Sequence, residues 1–466
     1  MATTDGEQRT RAEAAGQGHL FEHWDALDAS QRENLLAEVA EVDFDLVGRF
    51  AALLEDGAGA VEPATMEPPE LFPLQRDAAT EARAAEGREA GRELLASGKV
   101  GYLLVAGGQA SRLGYDGPKG AFSLGPVSGA PLFEIHARRL LAAARRHGAA
   151  TPWYVMTSRA NDAATREFFE AHGYFGLEPQ HVRFFSQAMV PALDFEGRIL
   201  MTGPGSLFLA PNGHGGVLAA FQASGALDEA RDQGLEQLSY FQVDNPLARP
   251  ADPLFLGLHA LGRAGMSSKV VAKRNADEKV GVLGRVDGTL GCIEYSDLPA
   301  ELREARDADG QLTFRAGNIA IHALSLDFVQ ELTAGGQLDL PWHVARKQMQ
   351  VFADGEQRPV QGAKFETFVF DALHRSPRSV TLEVDRALEF SPVKNAEGDD
   401  SPRTARRDLC QLFSGWVRAA NLDLPELDEH GVPPVEVDPL VAEDEHEFCS
   451  ASDRVPEVTD SGHLYR

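Results

Sequence analysis

Two adjoining stretches of this 466-residue chain gather residue types that handle phosphate. Ala106-Gly107-Gly108-Gln109-Ala110-Ser111-Arg112-Leu113-Gly114 follows the apolar run that ends in Val105, and Gly117-Pro118-Lys119-Gly120 comes just after it. Glycine has no Cβ, so the backbone N–H groups of Gly107 and Gly108 can approach an anion closely. Arg112 can fork onto phosphate oxygens, and Lys119 adds a point charge. The bland alternative is a strand-to-helix turn. Two glycines, an arginine and a Pro-Lys-Gly this close together favour a phosphate loop over it. Neither GxxxxGK[ST] nor GxGxxG is present, so the Walker and dinucleotide readings are weak.

Pro211-Asn212-Gly213-His214-Gly215-Gly216 is a second glycine loop. It precedes a helical pattern, Val217 to Ala223, whose N-terminus can face an anion. The residues alone balance this against a solvent-facing loop. Asp244 ends an apolar run, Phe241-Gln242-Val243, where open α/β sheets place their ligands. One or two carboxylates plus substrate phosphates commonly hold Mg²⁺, so Asp244 suits a Mg²⁺ (or Mn²⁺) nucleotide complex. An aspartate that begins a turn is the ordinary reading. By themselves Lys364 and Lys394 read as surface lysines, and Phe365, Phe368 and Phe370 as core. The 14 histidines show no HExxH spacing, and no Ser-His-Asp set can be argued.

The elements that must position these residues follow from periodicity. Val100–Val105 reads as a buried parallel strand, Leu132–His147 as an amphipathic helix and Trp153–Met156 as the next strand, which together make a βαβ unit. Further strand patterns lie at 182–185, 238–243, 269–272 and 319–321. The fold class expected is α/β, with a Rossmann-like sheet. Ser30-Gln31-Arg32-Glu33 reads as a capping box opening a helix with Leu35, Leu36, Val39 and Val42 on one face. Val61–Pro73 reads as a linker, and Asp77–Ser97 as a helix stopped by Gly98. Val380–Val384 and Val432–Val437 read as strands, the latter at an edge because of its prolines, and Arg403–Ala419 as a helix. Residues 1–18 are expected to fray and the acidic tail from Glu443 to be loose. The expected division is a helical region over 1–97, a catalytic domain over 98–385 and a small domain with the tail over 386–466.

The net charge of −27 opposes nucleic acid and acidic membranes as partners. It also requires any phosphate site to be a local basic patch. Cys292, Cys410 and Cys449 are odd in number and form no CxxC pair. There is no apolar leader and no apolar run near the ~20 residues that cross a bilayer. A cytoplasmic setting is the expectation.

The chain resembles the UDP-N-acetylglucosamine pyrophosphorylases, within the UDP-sugar pyrophosphorylase superfamily, from about Leu94 to about Leu440. Beyond the first loop and Pro118-Lys119-Gly120, the resemblance is carried by Phe184-Phe185-Ser186-Gln187, Gln242-Val243-Asp244-Asn245-Pro246-Leu247, Gly281-Val282, Ile293-Glu294-Tyr295-Ser296, Ala316-Gly317-Asn318-Ile319, Phe368-Val369-Phe370-Asp371 and Phe390-Ser391-Pro392-Val393-Lys394-Asn395-Ala396. It implies a Rossmann-like mixed sheet of the GT-A-like nucleotidyltransferase type, a helical N-terminal region and a small C-terminal β-rich domain. Val105, Ala106, Gly107 and Gly108 would line the nucleotide loop, with Gln187 on uracil and Gly213 near the nucleotide. Arg112, Lys119 and Lys364 would hold phosphates, Asp244 the metal, and Lys394 the sugar phosphate. His214, Gly281, Glu294 and Asn318 would meet the sugar.

The implied reaction joins UTP to N-acetylglucosamine 1-phosphate by in-line attack on the α-phosphorus, with Arg112, Lys119 and Lys394 as the catalytic cations. The enzyme would act as a monomer or homodimer. Two departures stand out. Relatives of the N-acetylglucosamine type usually carry Gly-Asn-Gly where this chain has Gly213-His214-Gly215, the form of the glucose-specific relatives. The usual Gly-Gln-Gly-Thr-Arg is Gly-Gln-Ala-Ser-Arg, so Ala110 is expected to cost backbone freedom. A glucose 1-phosphate enzyme or a broad UDP-sugar enzyme is the alternative, and a non-catalytic sugar-nucleotide sensor is the alternative from another class. A dehydrogenase is a distant third, because GxGxxG is absent.

Overall fold

The structure is a computed structural model that describes residues 5–55, 65–336, 338, 340–353, 355–451 and 455–466. Its contacts form two compact units. One combines the described residues of 1–62 with 187–217 and 340–369, and the other combines 63–186, 218–339 and 370–466. The units are thus interleaved along the chain, whereas the sequence reading cuts it consecutively.

The larger unit is built on a ten-stranded mixed sheet. Val182–Ser186, Trp153–Thr157, Val100–Val105 and Gln237–Gln242 lie side by side and parallel. Ala316–Ser325 then runs antiparallel to Gln237–Gln242, with Tyr240 opposite His322. Met266–Ala272 and Val282–Val286 both pair with Ala316–Ser325, and Thr289–Ile293 forms a hairpin with Val282–Val286. The first five residues of Val100–Val105 are buried, as expected of a strand covered on both faces.

The helix Leu132–His147 covers one face. It buries Leu132, Phe133, Ile135 and Leu140, and Gly148 closes it at φ 74°. Each such side chain contributes about 1.5–3 kcal/mol on leaving water. Phe133 does more than pack. A Cβ on Gly120 would stand 2.2 Å from its ring, so the helix seats the turn that carries Lys119.

Several local expectations are corrected. The capping box uses Asp28 and Gln31, not Ser30 and Glu33, and opens the helix Ala29–Glu41. Aspartate satisfies the N3 amide as well as serine does, and it lies two residues upstream. Within the expected linker, Met66–Glu67 pairs with Val282–Val286 and Phe72 bridges Leu382; residues 61–64 lie outside the described residues. Residues 5–14 are a helix rather than frayed. The tail is not loose either. Gly462–Tyr465 pairs with Val435–Val437 and Glu457–Thr459 in a three-stranded sheet, and Leu464 and Tyr465 are buried. Its charge pattern hid these two apolar anchors.

The smaller unit has its own core. Phe50 stacks flat on Phe365 at 3.9 Å, among Leu20, Leu35, Val39, Leu193 and Ile199. His343–Ala353 and Glu356–Glu366 form its long antiparallel ribbon.

Candidate active site

In the larger unit the loops after three parallel strands leave the same end of the sheet, the C-terminal end. Residues 106–120 leave Val105 and fold back on themselves. Gln109 bridges Pro118, Ala110 N–H donates to Gly117 O at 3.0 Å, and Lys119 N–H donates to Gly108 O at 3.1 Å. The last bond places the lysine directly beneath the glycines. A short 3₁₀ turn, Ser111–Leu113, forms the tip of this excursion. Arg112 sits there, exposed, and makes no ion pair among the described residues. Ala110 has φ −95° and is fully buried, so the expected cost in backbone freedom is absent.

Lys119 Nζ reaches Asp244 Oδ2 at 3.4 Å, with both side chains mostly buried. The pair joins the loop after Val105 to the loop after Gln242. Val393 N–H donates to Asp244 O at 2.8 Å, which brings the 390–395 segment alongside. Lys394 follows, exposed, with Nζ 5.6 Å from the Phe390 ring. The glycine loop, Lys119, Asp244 and Lys394 therefore converge within one unit. No three His, Cys, Asp or Glu side chains cluster as a metal cage among the described residues. One mostly buried carboxylate, Asp244, fits a divalent cation that arrives with nucleotide phosphates.

The sequence reading missed what stands behind the glycine loop. Ser158 Oγ donates to Gly107 O at 2.8 Å, and Asn161 Nδ2 donates to Ala106 O at 2.9 Å and Gly108 O at 3.3 Å. Three successive carbonyls are thereby tied back, and Ala106 N–H donates to Met156 O at 2.8 Å, which leaves the N–H groups of Gly107 and Gly108 to a ligand. Asn161 Oδ1 in turn accepts from Ser158 N–H at 2.8 Å. The available signal was Ser158 and Asn161 directly after the Trp153–Thr157 strand, where such residues hold backbone groups.

A second group lies nearby on the sheet. Asn318 lies on Ala316–Ser325, the strand that pairs antiparallel with Gln237–Gln242, which leads to Asp244. Asn318 N–H donates to Gly281 O at 2.8 Å, and Asn318 Nδ2 lies 3.7 Å from Cys292 Sγ. A Cβ on Gly281 would stand 2.9 Å from that sulfur and 3.3 Å from Glu294 Oε1. Gly281, Glu294 and Asn318 are thus one cluster around a thiol. Burial, then the Glu294 charge, pushes that thiol well above its usual pKa.

The remaining candidates belong to the smaller unit. Met189–Pro191 pairs with Leu209–Pro211, and Asn212 N–H donates to Ala188 O, so Gln187 and Gly213 leave the same end of this pair. Gln187 is buried. His214 Nδ1 accepts from Val369 N–H at 3.2 Å, and its ring stacks on Phe368 at 5.2 Å. Phe368 also stacks on His343 at 4.4 Å, so it forms a ring stack, while Phe365 is the core residue expected. Lys364 lies on the Glu356–Glu366 strand with Nζ 5.0 Å from the Phe208 ring. Burial, then Lys347, holds its pKa below the usual lysine range.

Comparison with known proteins agrees over almost the whole chain. Residues 50–418 match the model of the family described as UTP–glucose-1-phosphate uridylyltransferase. A UDP-N-acetylhexosamine pyrophosphorylase-like protein of Xenopus tropicalis is 37% identical over 91% of this chain and 87% of its own. The UDP-N-acetylglucosamine pyrophosphorylase of Saccharomyces cerevisiae is 33% identical over 87% of this chain and 90% of its own. The crystal structure of uridine diphosphate N-acetylglucosamine pyrophosphorylase from Trypanosoma brucei, in complex with an inhibitor, superposes with TM-score 0.80 at 29% identity, covering 94% of this chain and 93% of that one. The class is therefore that of the α/β nucleotidyltransferases. Within it, this chain belongs to the UTP–glucose-1-phosphate uridylyltransferase family, the UDP-sugar pyrophosphorylases.

Proposed function

We propose that this chain transfers the uridylyl group of UTP to N-acetylglucosamine 1-phosphate, giving UDP-N-acetylglucosamine and pyrophosphate. The observation that carries the reading is the convergence of the open glycine loop, the Lys119–Asp244 pair and the Lys394 segment at the ends of parallel strands. The choice of an N-acetylated sugar rests on the names of relatives 33–37% identical to this chain.

A phosphate oxygen of the sugar 1-phosphate forms a bond to the α-phosphorus as the bond to the β-phosphate breaks, and pyrophosphate leaves with the electron pair. The attacking group is already ionised, so no general base is needed. The N–H groups of Gly107 and Gly108 hold UTP phosphates, Val105 and Ala106 line the loop beside them, Lys119 neutralises charge that builds on the transferred group, and Lys394 orients the sugar phosphate. Arg112 reaches the phosphates from the tip of its turn. Gln187 reads uracil, and Lys364 adds a phosphate contact. Gly213 approaches the nucleotide, while His214, Gly281, Glu294 and Asn318 read the sugar. Mg²⁺ held by Asp244 would supply charge stabilisation at the α-phosphate. A cytoplasmic setting belongs to the same proposal, supported by three cysteines without disulfides.

The test is pyrophosphate release with UTP, Mg²⁺ and the 1-phosphates of N-acetylglucosamine, N-acetylgalactosamine, glucose and galactose. Fastest release with N-acetylglucosamine 1-phosphate is expected. Fast release with glucose 1-phosphate alone overturns the sugar, and UDP-sugar binding without release overturns the enzyme.

A further inference from the structure

The residue after Asp244 carries a role that the phosphate chemistry does not assign. Asn245 is 3% exposed, and its side chain is fully engaged with backbone. Its Nδ2 donates to Glu389 O at 2.7 Å, and its Oδ1 accepts from Ser391 N–H at 3.1 Å and Leu247 N–H at 3.3 Å. Together with the Val393 N–H to Asp244 O bond, this pins the 389–393 segment to the Asp244 turn at three points.

The pinned segment is anchored from below. Lys269 is completely buried, and its Nζ lies 2.5 Å from Glu389 Oε2 and 2.7 Å from Asp252 Oδ2. Asp252 also caps the helix Pro253–Leu261. A buried charge between two carboxylates is a poor source of stability, but removing either partner leaves an uncompensated buried charge, so the contact resists displacement. Arg139 Nη2 donates to Pro246 O at 3.1 Å and steadies the far side of the turn.

We infer that Asn245 is a positioning residue that fixes the separation of Asp244 and Lys394, with the Lys269–Asp252–Glu389 cluster as its foundation. This rests on the proposed uridylyl transfer for its consequence, though not for its geometry. An alanine leaves Glu389 O and Ser391 N–H unpaired, so the Lys394 segment loosens from the Asp244 turn.

The test uses the full chain with Asn245→Ala and has two readouts. Amide hydrogen exchange of Ser391 and Val393 should speed up at least tenfold, while amides of Val100–Val105 and Leu132–His147 stay protected. Turnover with UTP and N-acetylglucosamine 1-phosphate should fall roughly 10- to 100-fold in kcat, more than KM for UTP rises, as expected for lost orientation. Should Asn245→Ala not fold, Asn245→Asp keeps the acceptor for Ser391 N–H but sets a charged carboxylate oxygen against Glu389 O, and its exchange at Ser391 and Val393 should still be faster than in wild type. Unchanged exchange at Ser391 and Val393 overturns the clamp, as does faster exchange with wild-type kcat. A wild-type protein that releases no pyrophosphate instead overturns the proposed activity, and the exchange readout still decides the clamp.

Discussion

The two glycine loops look alike as sequence and are built on opposite grounds. At Gly108 an added Cβ would meet nothing within 4 Å. At Gly213, φ is 82° and a Cβ would stand 2.4 Å from Thr367 O. At Gly215 it would be 2.7 Å from Phe368 N, and at Gly216 2.1 Å from Asn212 Oδ1. The second loop needs glycine because its own unit crowds it. The first has open space where its glycine stands, so glycine there serves something that comes from outside. Glycine content alone does not separate a loop that folds from a loop that binds.

That contrast can be broken by substitution, and the expected effects fall in order. Lys119→Ala should reduce kcat on the order of 10²–10³-fold, the usual cost of one preorganised charge contact. Gly213→Ala should lower stability by about 3 kcal/mol, from backbone strain plus overlap, and be seen as an early midpoint in urea. Gly108→Ala should do the reverse: its unfolding free energy in urea should stay within about 0.5 kcal/mol of wild type, while KM for UTP rises. A stable Gly213→Ala, or a Gly108→Ala that unfolds early, would erase the distinction.

Smaller effects sharpen it. Asn161→Ala frees the carbonyl of Ala106 and leaves that of Gly108 held by Lys119 N–H alone, and should cost roughly tenfold in kcat/KM for UTP, by analogy with other groups that orient a primary contact. Titration gives a further, fold-wide check. Burial lowers His136 from 6.5 to about 4 and does the same to His259. The unfolded chain therefore binds more protons across that window, so stability is full above about pH 6.5 and declines as pH falls toward 4. His136 Nε2 contacts Val243 O beside Asp244, so His136→Gln should flatten part of this decline in melting temperature.

Much of the larger unit was legible because its signals are local. Leu132–His147 shows both its periodicity and its glycine stop, and Val100–Val105 is an unbroken apolar run. The Lys119–Asp244 pair was legible only as two separate candidates, since 125 residues separate them and nothing local specifies contact. Ser158 and Asn161 escaped because polar residues after a strand are ordinary. The interleaving of the two units was invisible for a related reason. Phe365 reads as core, but nothing local says that its partner is Phe50, more than three hundred residues upstream.

Turnover by Lys119→Ala, with its melting temperature measured on the same preparation, decides whether the Lys119–Asp244 pair belongs to a phosphate site. UDP-N-acetylglucosamine formation should fall on the order of 10²–10³-fold in a protein that still melts cooperatively. Formation within threefold of wild type, in a protein that melts normally, would contradict that assignment.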